Sequence, residues 1–148
     1  MKAGWIIPFI LLGGALQTCG AAMNGQLNKS LVNPWLASAV SFALITFFFV
    51  GAFLIMPHPL PATKDLSTMP WWAPIGGLVG AVQVYAGLTL VNKVGSGAFM
   101  GFTVTAALIT SLILDHFGWL HLEQHPLNLW RGVGGLLLVA GVALIAKF

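Results

Sequence analysis

The sequence predicts an all-α integral membrane protein with five transmembrane helices, and three observations carry that expectation. Of its 148 residues, 58% are hydrophobic and only 6% are charged. That charged share is about a quarter of what a soluble domain carries, and one ordinary core could not hide so much apolar surface. Five runs then come close to the roughly 20 mostly apolar residues that a spanning helix needs. Finally, Trp5, Trp35, Trp71, Trp72, Trp119 and Trp130 all fall at the ends of these runs, where amphipathic rings favour the membrane interface.

The first span is Trp5–Leu27. A lysine followed by an apolar run can also mark a signal peptide, and Leu16-Gln17-Thr18-Cys19 faintly resembles a lipoprotein cleavage site. Gln17 and Thr18 suit such a site poorly and four more apolar runs follow, so the first run reads as a retained span with Cys19 buried in it. The second span is Trp35–Met56, with Pro34 at its start, where a missing N–H does no harm. "MPHPLPATKDLSTMP", residues 56–70, cannot continue a helix and reads as the longest loop. The third span is Trp71–Val91. "NKVGSG" makes a tight connection to the fourth, Gly95–Phe117. "GWLHLEQHPLN" is the last loop, and Trp130–Ala146 the last span. Together they read as a single five-helix domain.

Five spans put the termini on opposite sides. Lys2, Lys64 and Arg131 then fall on the N-terminal side and Lys29, Lys93 and Lys147 on the other. Orientation follows the Lys and Arg balance, and three against three gives no preferred orientation. Asp65, Asp115, Glu123 and all four histidines lie on the N-terminal side, but acidic residues contribute little to that rule. The expectation is dual insertion and an antiparallel, inverted homodimer of ten helices with a two-fold axis in the membrane plane.

Polar residues inside the spans mark the candidate site. Gln17, Ala21, Asn24 and Asn28 share one face of the first helix. An amide facing lipid is costly, so this face should meet protein or water. The third span repeats the pattern with Gly76, Gly80, Gln83 and Gly87, with Tyr85 on another face near Thr89. The fourth offers Thr103, Ala107 and Thr110 on one stripe and Gly97, Gly101 and Ser111 near another. Gln17, Asn24 and Gln83, with Tyr85 and Thr103 beside them, are the candidate substrate-binding residues. Small residues and amides also join membrane helices directly, which is the competing reading. In the last span Gly134, Leu138 and Gly141 form a packing stripe assigned to dimerisation.

Several functions are disfavoured. No span has an acid or base near its middle, so proton exchange through a central carboxylate is not expected. Asp115 ends the fourth span, where the helix dipole disfavours an anion. It wants a cation, and Arg131 lies on the same side, so the two read as a structural ion pair. His121 and His125 do not have zinc-protease spacing and sit in a loop; no metal site is expected there. Six scattered basic residues make no nucleic-acid footprint, and a lone cysteine excludes an internal disulfide. No nucleophile triad, paired carboxylates or phosphate loop appears, so neither an enzyme nor a bound cofactor is expected.

"AAMNGQLNKSLVNPWLASAVSFALIT" carries an N-x-x-L at Asn24 and Leu27; "PWWAPIGGLVGAVQV" opens the third span; "SLILDHFG", Ser111 to Gly118, is the most specific segment; "GVGGLLLVAGVALI" closes the chain. In these the sequence resembles the YdcZ-like family, a five-helix branch of the drug/metabolite transporter superfamily, over essentially its whole length. The last segment is also similar to the glycine-spaced dimerisation helix of small multidrug resistance proteins. Departures are Gly20 where the family often has Gln, and Ala106-Ala107 where it often has Gly-Gln. Both point to a more apolar substrate. The resemblance implies transport and antiparallel pairing, by a multi-pass protein of the bacterial cytoplasmic (inner) membrane, but supplies no substrate; the expectation is a secondary transporter moving a small neutral or weakly charged metabolite or amphiphile. The alternative is a non-transporting membrane module that stabilises another membrane protein.

Overall fold

A computed structural model describes residues 4–56 and 58–148, and among these it contains helices and no strand. Lys2, counted above among the cations, lies outside the described residues. Five helical stretches are long and apolar enough to cross a membrane: Ile6–Leu31, Pro34–Ile55, Ala73–Val94, Ser96–Phe117 and Leu129–Lys147. The chain divides into two compact units, one ending at Lys93 and one beginning at Val94.

In the first unit α1 (Ile6–Leu31) runs one turn further than the expected end at Leu27. Two features hold that extra turn. The Asn28 side chain donates to the Leu88 carbonyl at 3.0 Å, and Lys29 places a cation where the helix dipole favours one. The helix stops at Val32, which takes a left-handed φ of 58° and returns its N–H to the Asn28 carbonyl. Asn33 then opens α2 (Pro34–Ile55), its Oδ1 accepting the N–H groups of Trp35 and Leu36. Thus two residues connect two spans, with few backbone groups left to water.

The expected long loop is not wholly irregular. Thr63–Thr68 forms a short helix, α3. Asp65 reaches back to accept the Ala62 N–H at 2.9 Å, which satisfies one orphan donor at that helix start. A 3₁₀ turn, Ala73–Ile75, leads into α4 (Gly76–Val94). The unit's core is small: Gly25 of α1, Ala37 of α2, and Gly87, Leu88 and Val91 of α4 are its buried residues.

The second unit is a helical hairpin. Gly95, at φ 85°, is the one residue between α4 and α5 (Ser96–Phe117); a side chain there would be strained. Gly118 ends α5 in the left-handed region, and Trp119–His121 make a tight turn. Asn128 caps α6 (Leu129–Lys147), its Oδ1 accepting the Arg131 N–H. α6 returns along α5, with Phe99 and Val142 buried between them. Close approach is made at two glycines. A Cβ on Gly101 would lie 3.0 Å from Val142 Cγ1, and one on Gly135 would lie 3.6 Å from Leu112.

Candidate functional site

The amides expected to act together divide into two groups within the first unit. Toward the C-terminal end of α1 they join helices. Asn24 Oδ1 accepts the Ser41 hydroxyl of α2 at 3.1 Å, and Asn28 reaches the backbone of α4 as described. Between them Gly25 admits α4 so closely that a Cβ would stand 2.6 Å from Val91 Cγ1 and 2.7 Å from Asn92 Nδ2. Both amides are half-buried. Interhelical hydrogen bonds of this kind are worth about 0.6–2 kcal/mol in a membrane.

Gln17 and Gln83 are arranged differently. Each sits near the middle of its span, is exposed, and has no side-chain hydrogen bond among the described residues. Each also lies eight residues before the close contact of Gly25 with Val91, so the two stand at similar depth, about 12 Å along their helices from that contact. Their glycine neighbours open space rather than close it. A Cβ on Gly13, Gly14, Gly20, Gly76, Gly77 or Gly80 would meet nothing within 4 Å. The N-terminal halves of α1 and α4 thus present small residues and unpartnered amides, while the C-terminal halves are knitted together.

Tyr85 packs its ring on Trp35, centroids 4.9 Å apart at 32°, which links α4 to the start of α2. Its hydroxyl makes no hydrogen bond among the described residues. Thr103 is half-buried in α5 and likewise unbonded, belonging to the second unit. In that unit Thr105, which sequence reasoning did not single out, buries a hydroxyl with no partner. Nothing in its spacing distinguishes it from Thr103.

The stripe of Gly134, Leu138 and Gly141 lies beside the face that α6 turns to α5, not on it. Added Cβ atoms at Gly134 and Gly141 would meet nothing within 4 Å, whereas Gly135 is buried. Arg131 Nη2 meets Asp115 Oδ2 at 2.8 Å, with side chains 33% and 26% exposed. No cluster of three metal-ligating side chains forms among the described residues.

The family described as "Putative inner membrane exporter, YdcZ" matches residues 5–144. The inner membrane protein YdcZ of Escherichia coli (strain K12) is 34% identical over 86 residues, covering 55% of this chain and 54% of that protein. The matched stretch therefore spans about half the length of that relative. No solved structure matches the chain. Five helices able to cross a bilayer, in a family of inner-membrane proteins, make this a multi-pass protein of the bacterial inner membrane. With a match that reaches all five of those helices, the chain belongs to the YdcZ family of the drug/metabolite transporters.

Proposed function

We propose that the chain is a secondary transporter working as an antiparallel homodimer. Two inverted copies supply ten helices around a central path, and exchange of their conformations moves the opening from one face to the other. Gln17 and Gln83 meet the substrate, a small neutral or weakly charged metabolite or amphiphile. Asn24 contributes its amide nitrogen while its oxygen holds Ser41, and Tyr85 and Thr103 stand as further contacts. Gly134, Leu138 and Gly141 pack copy against copy.

One observation carries this reading: two mid-span amides without partners, set among glycines that leave room. Lipid cannot satisfy an amide, so these side chains need water, substrate or another protein. The knitted Asn24 and Asn28 favour the second reading, a module that pairs with another membrane protein, because they show how readily this chain spends amides on helix contacts.

The two readings separate experimentally. Gln17→Leu and Gln83→Leu remove no internal hydrogen bond, so purified variants should keep the thermal stability of the parent. They should lose any stabilisation that a panel of small metabolites confers on it. In a Cys19→Ala background, cysteines at 17 and 83 should react with water-soluble thiol reagents, and cysteines at Phe47 or Phe48 far less. Unreactive cysteines at both glutamine positions, with loss of self-association or of a co-purifying protein in the leucine variants, would establish the module and end the transporter reading.

A further inference from the structure

The Ser111–Gly118 segment contains an Asp-His pair that neither reading above employs. α5 ends there, and a helix end leaves carbonyls without partners. The last loop supplies them. Gly118, at φ 62°, returns its N–H to Leu114. The His125 N–H donates to the Asp115 carbonyl at 2.8 Å, and Gln124 Nε2 donates to the His116 carbonyl at 2.9 Å. Arg131 closes the far side, one guanidinium nitrogen on Asp115 Oδ2 and the other on the His125 carbonyl at 2.7 Å.

One fastening differs in kind. The Leu127 N–H donates to His116 Nδ1 at 3.0 Å. An imidazole nitrogen accepts only through a free lone pair, so Nδ1 carries no proton in this arrangement and the ring's proton is on Nε2. A second proton would turn Nδ1 into a donor facing a donor. The other bonds named above end on backbone carbonyls or on the Asp115 carboxylate. His116 and Leu127 also stand together at an apolar groove of about 350 Å³, with Ile113, Phe117, Gly132 and Leu136 among its walls.

We propose that His116 is a proton-operated latch on the 118–128 loop. With Nδ1 free, the loop is fastened; a proton from water binding at Nδ1 breaks the bond to Leu127 and frees the loop's second half beside the groove. The charged and titratable groups on the elements that meet here are Asp115 of the same helix, His121, Glu123 and His125 of the loop, and Arg131 of α6; the Phe117 ring stands edge-on to the imidazole at 4.8 Å. Asp115 and Arg131 pair with each other at 2.8 Å.

The test is hydrogen exchange of the purified full chain, corrected for intrinsic amide rates, at about pH 8 and about pH 5.5. The 118–128 loop should be protected at the higher pH. At the lower it should exchange roughly tenfold faster, the factor for losing one ordinary hydrogen bond. His116→Asn offers an amide oxygen near the place of Nδ1 and does not titrate, so its loop should be protected at both. His121→Asn and His125→Asn should keep the pH dependence. Equal protection of the parent at both pH values, or an unchanged dependence in His116→Asn, would overturn the latch. Nitrogen NMR of the parent's imidazoles settles it without any variant: a His116 ring protonated at Nδ1 at about pH 8 also overturns it.

Discussion

Val32 is the residue most plainly at odds with its backbone. A β-branched side chain at φ 58° is held where L-residues are disfavoured, a penalty of about 1–2 kcal/mol. The side chain is 84% exposed, so little packing offsets it. Val32→Gly should therefore raise stability by about 0.5–1 kcal/mol, after the extra entropy that glycine loses on folding. Unfolding of the purified protein would show it as a higher midpoint, and a lower midpoint would mean that Val32 has a partner in the assembled protein. The same scale shows where sequence reading ends. Gln17, Asn24 and Asn28 share a helical face, and that much follows from spacing alone. What the face meets depends on other helices, and the close approach of α4 to α1 is at Gly25, about two turns beyond Gln17. Hence one stripe contains both bonded and unpartnered amides, and no property of α1 by itself distinguishes them.

Among the elements, α5 and α6 show how glycines divide their work. Gly101→Leu would drive a side chain into Val142, which stands 3.0 Å from the modest Cβ. Overpacking of this kind is expected to destabilise by about 1–3 kcal/mol. Gly134→Leu with Gly141→Leu meets open space instead, so the fold should survive while cross-linking between copies falls. Unchanged cross-linking would remove this stripe from the proposed dimer interface. The five long helices were legible because each is a long apolar run with marked ends: Pro34 and Asn33, Gly95, Gly118, Asn128. Their limits differ from the expected ones by a few residues at most, chiefly where Asn28 and Lys29 carry α1 past Leu27. Less was legible between them. α3 rests on one carboxylate reaching back to Ala62 in a segment whose prolines argue against helix. The fastening of the last loop rests on contacts across up to sixteen residues, too far for local pattern to reveal. The face by which α6 meets α5, at Gly135, was not legible, because a helix with four glycines offers more than one smooth side.

For the whole molecule, the proposed inverted pairing follows from the expected even division of the lysines and arginine between the two sides. Adding two lysines beside Lys29 should commit the chain to one orientation with that end cytoplasmic, and should reduce transport unless an oppositely inserted copy is supplied. The last loop holds a further consequence. Glu123 is the chain's single glutamate, and it is exposed in a connection between two spans. A glutamate-specific protease confined to one side of an intact membrane can therefore cut each copy at one place or nowhere. The fraction nicked at completion becomes a census of orientation: about half for inverted pairs, and near none or near all for a chain that inserts one way, as the lysine-added variant should. The halves of a nicked copy end and begin within the segment that Arg131 and His116 fasten to α5, so the cut is recorded in the chain without removing either helix from the membrane.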